Sequence, residues 1–337
     1  MTVVLVTHER CADHVARPGH PERPDRLLAA RRGIHEIGVD DALVVIEPAP
    51  APRAAIERVH DARLIDSIEL LCAAGGGTID PDTAVNRQSF DAATLAAGAG
   101  LAAIDALATA EHRAAFCAVR PPGHHALPTK AMGFCLFNSI AISAATLADQ
   151  GERVAVIDID AHHGNGTQAA FYADPRVLYA SLHQSPLYPY TGALEEVGAG
   201  PGLGTTVNIP LPAGATGDIY RAAFDDVVTP AVAAFAPTWL LVSAGFDAHR
   251  YDPLTGLALT SGDYADLTAE LMALVPPGRS IYFLEGGYQL DALAASVGAC
   301  VAALAGEIIH PEQPSRGGQG VEAVAAARRV HARVEHR

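Results

Sequence analysis

Val154-Ala155-Val156-Ile157-Asp158-Ile159-Asp160-Ala161-His162-His163-Gly164-Asn165-Gly166 is the stretch on which the reading of this chain turns. Its first half, entered from Gly151, is an apolar run rich in β-branched residues, the pattern of a strand buried on both faces. Its second half sets Asp160, His162 and His163 beside glycines. At the end of such a strand a bare carboxylate costs on the order of several kcal/mol, so Asp158 and Asp160 need a cation or a network of donors. A carboxylate and an imidazole two residues apart at a strand end point the same way and can share one ion. Oxygen and nitrogen ligands together suit zinc, iron or manganese. The structural alternative is a buried aspartate capping a helix beside a satisfied core histidine.

Outward from this stretch the same grammar repeats, an apolar strand followed at once by polar or glycine-rich residues and then a helical segment. Residues 115–119 lead into Arg120-Pro121-Pro122-Gly123-His124-His125, and 176–181 into Leu182-His183. Residues 239–243 lead into Ala244-Gly245-Phe246-Asp247, and 280–284 into Glu285-Gly286-Gly287-Tyr288. Helices are expected over 138–149, 219–235, 263–274 and 290–304. Upstream, strands are expected at 3–6 and 42–46, and a helix opened by Pro21-Glu22-Arg23-Pro24-Asp25-Arg26 runs to about Gly38. A turn at 48–52, a helix at 61–74, a glycine hinge at 75–77 and a long alanine-rich helix at 91–111 complete that half. Alternating strand and helix predicts a parallel sheet covered on both faces, with ligands at the carboxyl ends of the strands, where all the unusual residues lie.

Half of the 337 residues are hydrophobic, enough for a sizeable core, and alanine, glycine and proline are spread without a repeat. Length alone leaves open whether this is one large α/β unit or two domains. With 38 acidic residues against 23 lysines and arginines the net charge is -15, which argues against direct nucleic-acid binding or a grip on an anionic membrane. Cys11, Cys72, Cys117, Cys135 and Cys300 are odd in number and include no Cys-x-x-Cys pair, so neither a disulfide framework nor a thiolate zinc site is expected. The N-terminus is apolar only briefly and lacks a basic lead-in, and no later run is expected to approach the ~18 apolar residues of a membrane span. These features predict a soluble cytoplasmic chain. The tail from 310 to 337, with prolines and glycines before an Ala/Arg-rich helix, reads as a surface appendage or a contact in a homo-oligomer.

Asp160, His162 and Asp247 make a set of three ligands. Three protein ligands leave a position open for water, and zinc lowers the pKa of that water toward ~7, which is hydrolytic equipment. His124 and His125 supply two imidazoles within reach, one to take a proton from the water and one to supply a proton or positive charge. Tyr288, after two glycines that let the backbone swing its phenol inward, can donate to the oxygen of a carbonyl under attack. No Gly-x-Ser-x-Gly nucleophile elbow is present, so a covalent acyl-enzyme is not favoured.

Taken together, Arg120-Pro-Pro-Gly-His-His-Ala126, Asp158-Ile-Asp-Ala-His-His-Gly-Asn-Gly166, Ser243-Ala-Gly-Phe-Asp-Ala-His249 and Glu285-Gly-Gly-Tyr288, in this order and spacing, resemble the zinc-dependent histone deacetylase family. That family includes class II-like bacterial amidohydrolases and acetylpolyamine amidohydrolases. The likeness runs from about residue 3 to 305 and includes His20-Pro-Glu-Arg-Pro-Asp-Arg26 and Gly133-Phe-Cys-Leu-Phe-Asn138. It implies the arginase/deacetylase fold, a three-layer α/β/α domain with a central eight-stranded parallel sheet. With the tail set apart by its own residues, this gives a catalytic domain at 1–309 and a helical tail at 310–337, and the resemblance implies hydrolysis of an N-acyl amide on an amine.

The resemblance implies Asp160, His162 and Asp247 as ligands of one zinc ion, His124 and His125 as the tandem catalytic histidines, and Tyr288 as the carbonyl-polarising residue. It implies that Asp158 orients His124 and also holds a structural potassium ion, with Asp160, the His162 and Leu182 carbonyls and the Ser181 hydroxyl. Asn165 faces His125 where several members have aspartate. Because a neutral amide raises imidazole basicity less than a carboxylate does, His124 is expected to be the imidazolium and His125 the base. Gly133, Phe134, Tyr188, Leu254, Gly286 and Gly287 match the acyl-lysine tunnel. Tyr188 stands where phenylalanine is usual and Tyr190 where glycine is common, departures that bear on the tunnel's width and polarity. Leu254 holds the gatekeeper position that is glutamate in the polyamine-selective member, so an acyl-lysine or a neutral small acyl-amine is the expected substrate. Arg26 matches an arginine near an internal acetate channel, and a helix-start salt bridge is an equal reading. An arginase-like enzyme with two manganese ions is the main rival, but it requires a second carboxylate where this chain has His249. An inactive acyl-lysine-binding scaffold is the other, and no ligand or catalytic position is missing to favour it.

Overall fold

A computed structural model of the chain describes residues 1–109 and 111–334. Its strands are β1 (Thr2–Thr7), β2 (Leu43–Ile46), β3 (Gly76–Thr78), β4 (Ala84–Asn86), β5 (His112–Ala118), β6 (Val154–Asp158), β7 (Val177–Gln184), β8 (Thr206–Leu211), β9 (Trp239–Ala244) and β10 (Ser280–Leu284). Eight of them form one sheet in the order β2-β1-β5-β10-β9-β6-β7-β8, every neighbouring pair parallel. The central strands β6, β9 and β10 are buried at every residue, as uninterrupted apolar strands in a doubly covered sheet must be.

The chain reaches β2 from β1 through helix Asp25–Glu36, then turns back through helix Ser89–Leu107 to reach β5 on the other side of β1. Right-handed crossovers in opposite directions put those two helices on opposite faces of the sheet. Asp25–Glu36 packs on Leu290–Ala305, which packs on Ser261–Met272, while Ser89–Leu107 packs on Ser139–Asp149. The three-layer α/β/α arrangement that the resemblance implies follows. It gathers the loops after β5, β6, β7, β9 and β10 at one edge of the sheet.

Several elements differ from the sequence reading. β8 was not foreseen from its residues because Asn208 and Pro210 interrupt its apolar run; Pro210 is tolerated because β8 is an edge strand. The expected hinge at 75–77 is part of an antiparallel ribbon of β3 and β4. The single helix expected over 219–235 is Gly217–Ala223, a π-helical turn at Phe224–Val228 and Thr229–Phe235. Pro230 lacks the N–H that a regular α-helix needs there and forces the wider turn. The alanine-rich helix stops at Leu107 rather than 111, and residue 110 lies outside the described residues. That helix is long and apolar enough to cross a membrane by length and composition, contrary to expectation, and two-thirds of it is buried within the fold.

The tail is packed against the body along its described length, residues 335–337 lying outside it. Glu312 pairs with His249 and Arg250, Ser315 bonds Asp263, and Gly318 donates to Thr216. Helix Val321–Val334 then lies against β8.

Below the loops after β5 and β10 is a buried ion cluster. Arg120 and Arg26, both fully buried, share the carboxylate of Glu22, and Arg120 also donates to the carbonyls of Cys11 and His14. Arg26 donates to the carbonyls of Gly287, at 2.6 Å, and Glu285, which anchors the β10 loop. Burial opposes the charge on Glu22, yet Arg120 and Arg26 hold its carboxyl down at about 2. The stabilisation is therefore complete above the unfolded carboxyl's value of about 4.3 and is lost as pH falls through about 2. Glu22→Ala leaves two buried guanidiniums unpaired and is expected to lower the unfolding free energy at pH 7 by about 3–5 kcal/mol in urea titration, whereas Glu9→Ala, on the surface, should change it by less than about 0.5 kcal/mol.

Candidate active site

The floor of the site is made where β6 and β9 end side by side, Asp158 in register with Ser243. Asp160 and His162 follow β6, and Asp247 follows β9. The Nδ1 atom of His162 lies 3.1 Å from Asp160 Oδ1 and 2.9 Å from Asp247 Oδ2. One donor atom from each residue falls within 4.8 Å of the other two, and all three residues are buried. Gly286 N–H donates to Asp160 at 2.7 Å and Ala161 N–H to Asp247 at 2.8 Å. Gly286 permits this approach, since a β-carbon there would stand 2.1 Å from Asp247 Oδ2.

Burial and the neighbouring Asp160 push Asp247 up to about 7. Asp160 is held below the usual carboxylate range, because His124 and His162 outweigh the effect of burial. Two dry carboxylates and an imidazole that already crowd together fit a single divalent cation, which would balance their charge with the oxygen and nitrogen donors it prefers. His249, where a second metal would need a carboxylate, is buried and bonds Glu312 through Nε2 at 2.7 Å.

The tandem histidines stand beside this floor with unlike partners. Nδ1 of His124 lies 3.0 Å from Asp158 Oδ2, and Tyr179 donates its hydroxyl to the same oxygen. Nδ1 of His125 lies 2.8 Å from Asn165 Oδ1, an acceptor, which fixes the tautomer with Nδ1 protonated and the Nε2 lone pair free. Burial works against charge on both rings. Asp158 and Asp160 overcome it at His124, raising that imidazole to about 10. At His125 the neighbouring His124 and His162 reinforce it and hold the ring well below its ordinary range.

Above the floor opens a cavity of about 330 Å³ lined by His125, His162, Phe134, Tyr188, Leu254 and Tyr288, among others. Tyr188 packs edge-on to His125 with ring centroids 5.3 Å apart, and Phe134 packs edge-on to Tyr288 at 5.9 Å. Gly133 shares the wall; with φ at +58° and a β-carbon position 2.6 Å from the His125 ring, it admits no larger residue. Burial keeps the Tyr288 phenol well above its ordinary pKa despite Arg26 nearby, so it remains a hydrogen-bond donor. The Arg26 guanidinium lies 4.9 Å from the Tyr288 ring centroid.

Of the residues singled out from sequence, His125, His162, Gly133, Phe134, Tyr188, Leu254 and Tyr288 meet at the cavity. Asp158, Asp160, Asn165, Asp247, Gly286 and Gly287 lie outside its lining, as does His124. Ser181 is in register with Asp158, and Leu182 is buried beside it. The Ser181 hydroxyl bonds His183 Nδ1 at 2.9 Å, while His183 Nε2 bonds the Gly192 carbonyl. The imidazole therefore donates through Nε2, the serine donates to Nδ1, and the serine oxygen keeps its lone pairs.

Two carboxylates do work that the sequence reading did not assign. Glu285 accepts from Gly123 N–H at 2.7 Å and His124 N–H at 3.2 Å, fixing the turn that carries both histidines. Its signal was available, a carboxylate directly after an apolar strand, the same cue that exposed Asp158. Asp252 accepts from Tyr288 N–H at 2.7 Å and Leu254 N–H at 3.0 Å, tying the Leu254 loop to the Tyr288 loop. No sequence pattern marked it.

A histone deacetylase domain model matches residues 20–304. A probable deacetylase of Archaeoglobus fulgidus is 42% identical over 313 residues, covering 91% of this chain and 87% of that protein. A histone deacetylase-like amidohydrolase of Pseudomonas aeruginosa is 39% identical over 280 residues, covering 81% of this chain and 73% of that one. The crystal structure of the HDA15 HD domain matches with a TM-score of 0.91 at 35% identity, covering 98% of this chain and 94% of that one. With the family matched along nearly the whole sheet and its loops, the chain belongs to the histone deacetylase family and is a hydrolase of amide bonds.

Proposed function

We propose that this chain is a zinc-dependent deacylase that removes an acyl group, acetyl first of all, from the side-chain amine of an acylated lysine. The observation that carries this reading is the buried Asp160–His162–Asp247 donor set at the foot of a cavity into which His125 and Tyr288 both face. Asp160, His162 and Asp247 would hold one zinc ion. Zinc bound there supplies a Lewis acid that acidifies water and polarises a carbonyl.

The chain's own residues do the rest. His125, neutral and with Nε2 free, takes a proton from water as the water oxygen bonds to the amide carbon. The phenol of Tyr288 donates to the carbonyl oxygen as it gains charge. The carbon–nitrogen bond then breaks, and the departing amine takes the proton from His125, leaving acid and amine as products. His124, kept cationic by Asp158 and set behind His125, supplies fixed positive charge. Phe134 and Tyr188 wall the path of a slender alkyl chain, and Leu254 offers no charge to a polyamine. Asp82, exposed at the cavity rim, would attract an ammonium, so an acetylpolyamine or other small acyl-amine is the second reading.

Potassium fits the adjoining cluster of Asp158, Asp160, the His162 and Leu182 carbonyls and the free lone pairs of Ser181. We assign the catalytic domain to 1–309 and the packed tail to 310–337. The cytoplasm is the compartment that suits five buried free cysteines.

Purified and loaded with zinc, the chain is expected to hydrolyse an acetyl-lysine peptide, and Asp247→Ala to lose both bound zinc and at least about 10³-fold in kcat/KM. Full turnover by the metal-free variant would contradict the reading. Asn165→Asp places a carboxylate on His125 and raises its basicity, so the acid limb of the kcat/KM profile should move up by roughly one pH unit. An unmoved acid limb would remove His125 from the role of base.

A further inference from the structure

Phe134 and Tyr190 both border the cavity, and both hold the left-handed backbone conformation, with φ of 68° and 63°. Bulky residues adopt that conformation only against strain, and such strain persists where the surroundings or a function maintain it. For Phe134 the surroundings suffice. Its ring packs edge-on against His20 at 4.6 Å and Tyr288 at 5.9 Å, and its N–H donates to the Thr83 hydroxyl at 3.1 Å. Tyr190 has no such support. Its N–H closes a turn onto the Leu187 carbonyl at 2.8 Å, a bond that glycine would make equally well. The side chain is 80% exposed and, among the described residues, has neither a hydrogen bond nor an aromatic partner. A strained turn thus holds a large ring out at the mouth of the site.

The ring's place along the cavity says what it meets. His162 marks the floor, Tyr188 and Phe134 the walls, and Tyr190 the open rim with the exposed Arg17 and Asp82. A small acyl-amine contained between the walls would leave Tyr190 untouched. A polycation trailing out of the mouth would meet Arg17 as well as Asp82. A polypeptide presenting an acylated lysine must instead lay its backbone and neighbouring side chains across the rim, where an aromatic ring offers a broad contact at little rotamer cost.

We infer that Tyr190 is a specificity-determining residue of this site: its ring receives the residues that flank the acylated lysine in a polypeptide and so discriminates among flanking sequences. The inference rests on the deacylase reading of the same site. Because the ring makes no hydrogen bond or aromatic contact among the described residues, its removal should help the fold and harm recognition.

The test compares wild type, Tyr190→Gly and Tyr190→Phe, all zinc-loaded, on three substrates: an acetyl-lysine heptapeptide with apolar flanking residues, a single blocked acetyl-lysine, and an N-acetylpolyamine. Tyr190→Gly should raise KM for the heptapeptide by about 3- to 10-fold with kcat unchanged, the strength of one aromatic contact. It should leave the single residue unaffected and raise the unfolding midpoint by about 1–2 °C as strain is relieved. Tyr190→Phe should behave as wild type on the heptapeptide. Equal losses on heptapeptide and single residue, a loss confined to the polyamine, or a lowered midpoint with uniform loss would each overturn the inference. No turnover of any of the three by wild type would sink the deacylase reading itself, and this inference with it.

Discussion

Asp160 and Asp247 leave the ends of neighbouring strands and enter one dry floor, where two carboxylates repel each other and neither reaches bulk water. Much of the surrounding structure answers that electrostatic problem. His162 stands between them, backbone N–H groups of Ala161 and Gly286 are aimed at them, and the glycine at 286 lets the β10 loop come close enough to do so. These donors lessen the charge without cancelling it, which leaves the floor suited to a divalent cation. The parallel sheet is what brings the groups together, because every strand delivers its carboxyl end to the same edge.

The same field divides the labour of two adjacent histidines. His124 and His125 are both deeply buried, and burial alone would discharge both. A carboxylate behind one and an amide behind the other is enough to separate them, favouring a cation at His124 and a neutral ring at His125. The supporting layer is itself made of buried charge. Glu285 fixes the backbone of the histidine turn, Asp252 ties the Tyr288 loop to the Leu254 loop, and the Glu22–Arg26–Arg120 cluster holds the β10 loop from below. Polar residues this deep must keep their partners, so each one restrains the loops it joins.

Much of this could be read from residues because burial and charge conflict openly in one dimension. An apolar run ending in aspartate or histidine announces a strand end with a task, and Asp158, Asp160, His124, His125 and Asp247 were all found that way. Resemblance added the roles of Asn165, Ser181 and Leu182, which no spacing suggests. What escaped were features that exist only between distant segments. Asp252 matters because Tyr288 folds back onto it, and β8 is a strand because β7 supplies its partner despite Pro210. The π-helical turn before Pro230 needed the missing N–H to be weighed against a helical pattern that otherwise looked continuous. The strain at Tyr190 is a backbone angle, which sequence does not display.

The central claim is that one divalent ion belongs to Asp160, His162 and Asp247. Anomalous diffraction at the zinc edge from crystals grown with zinc tests it most directly. A single peak coordinated by those three side chains is the expected result. A site without a peak, or two peaks with one bound near His249, would contradict the account.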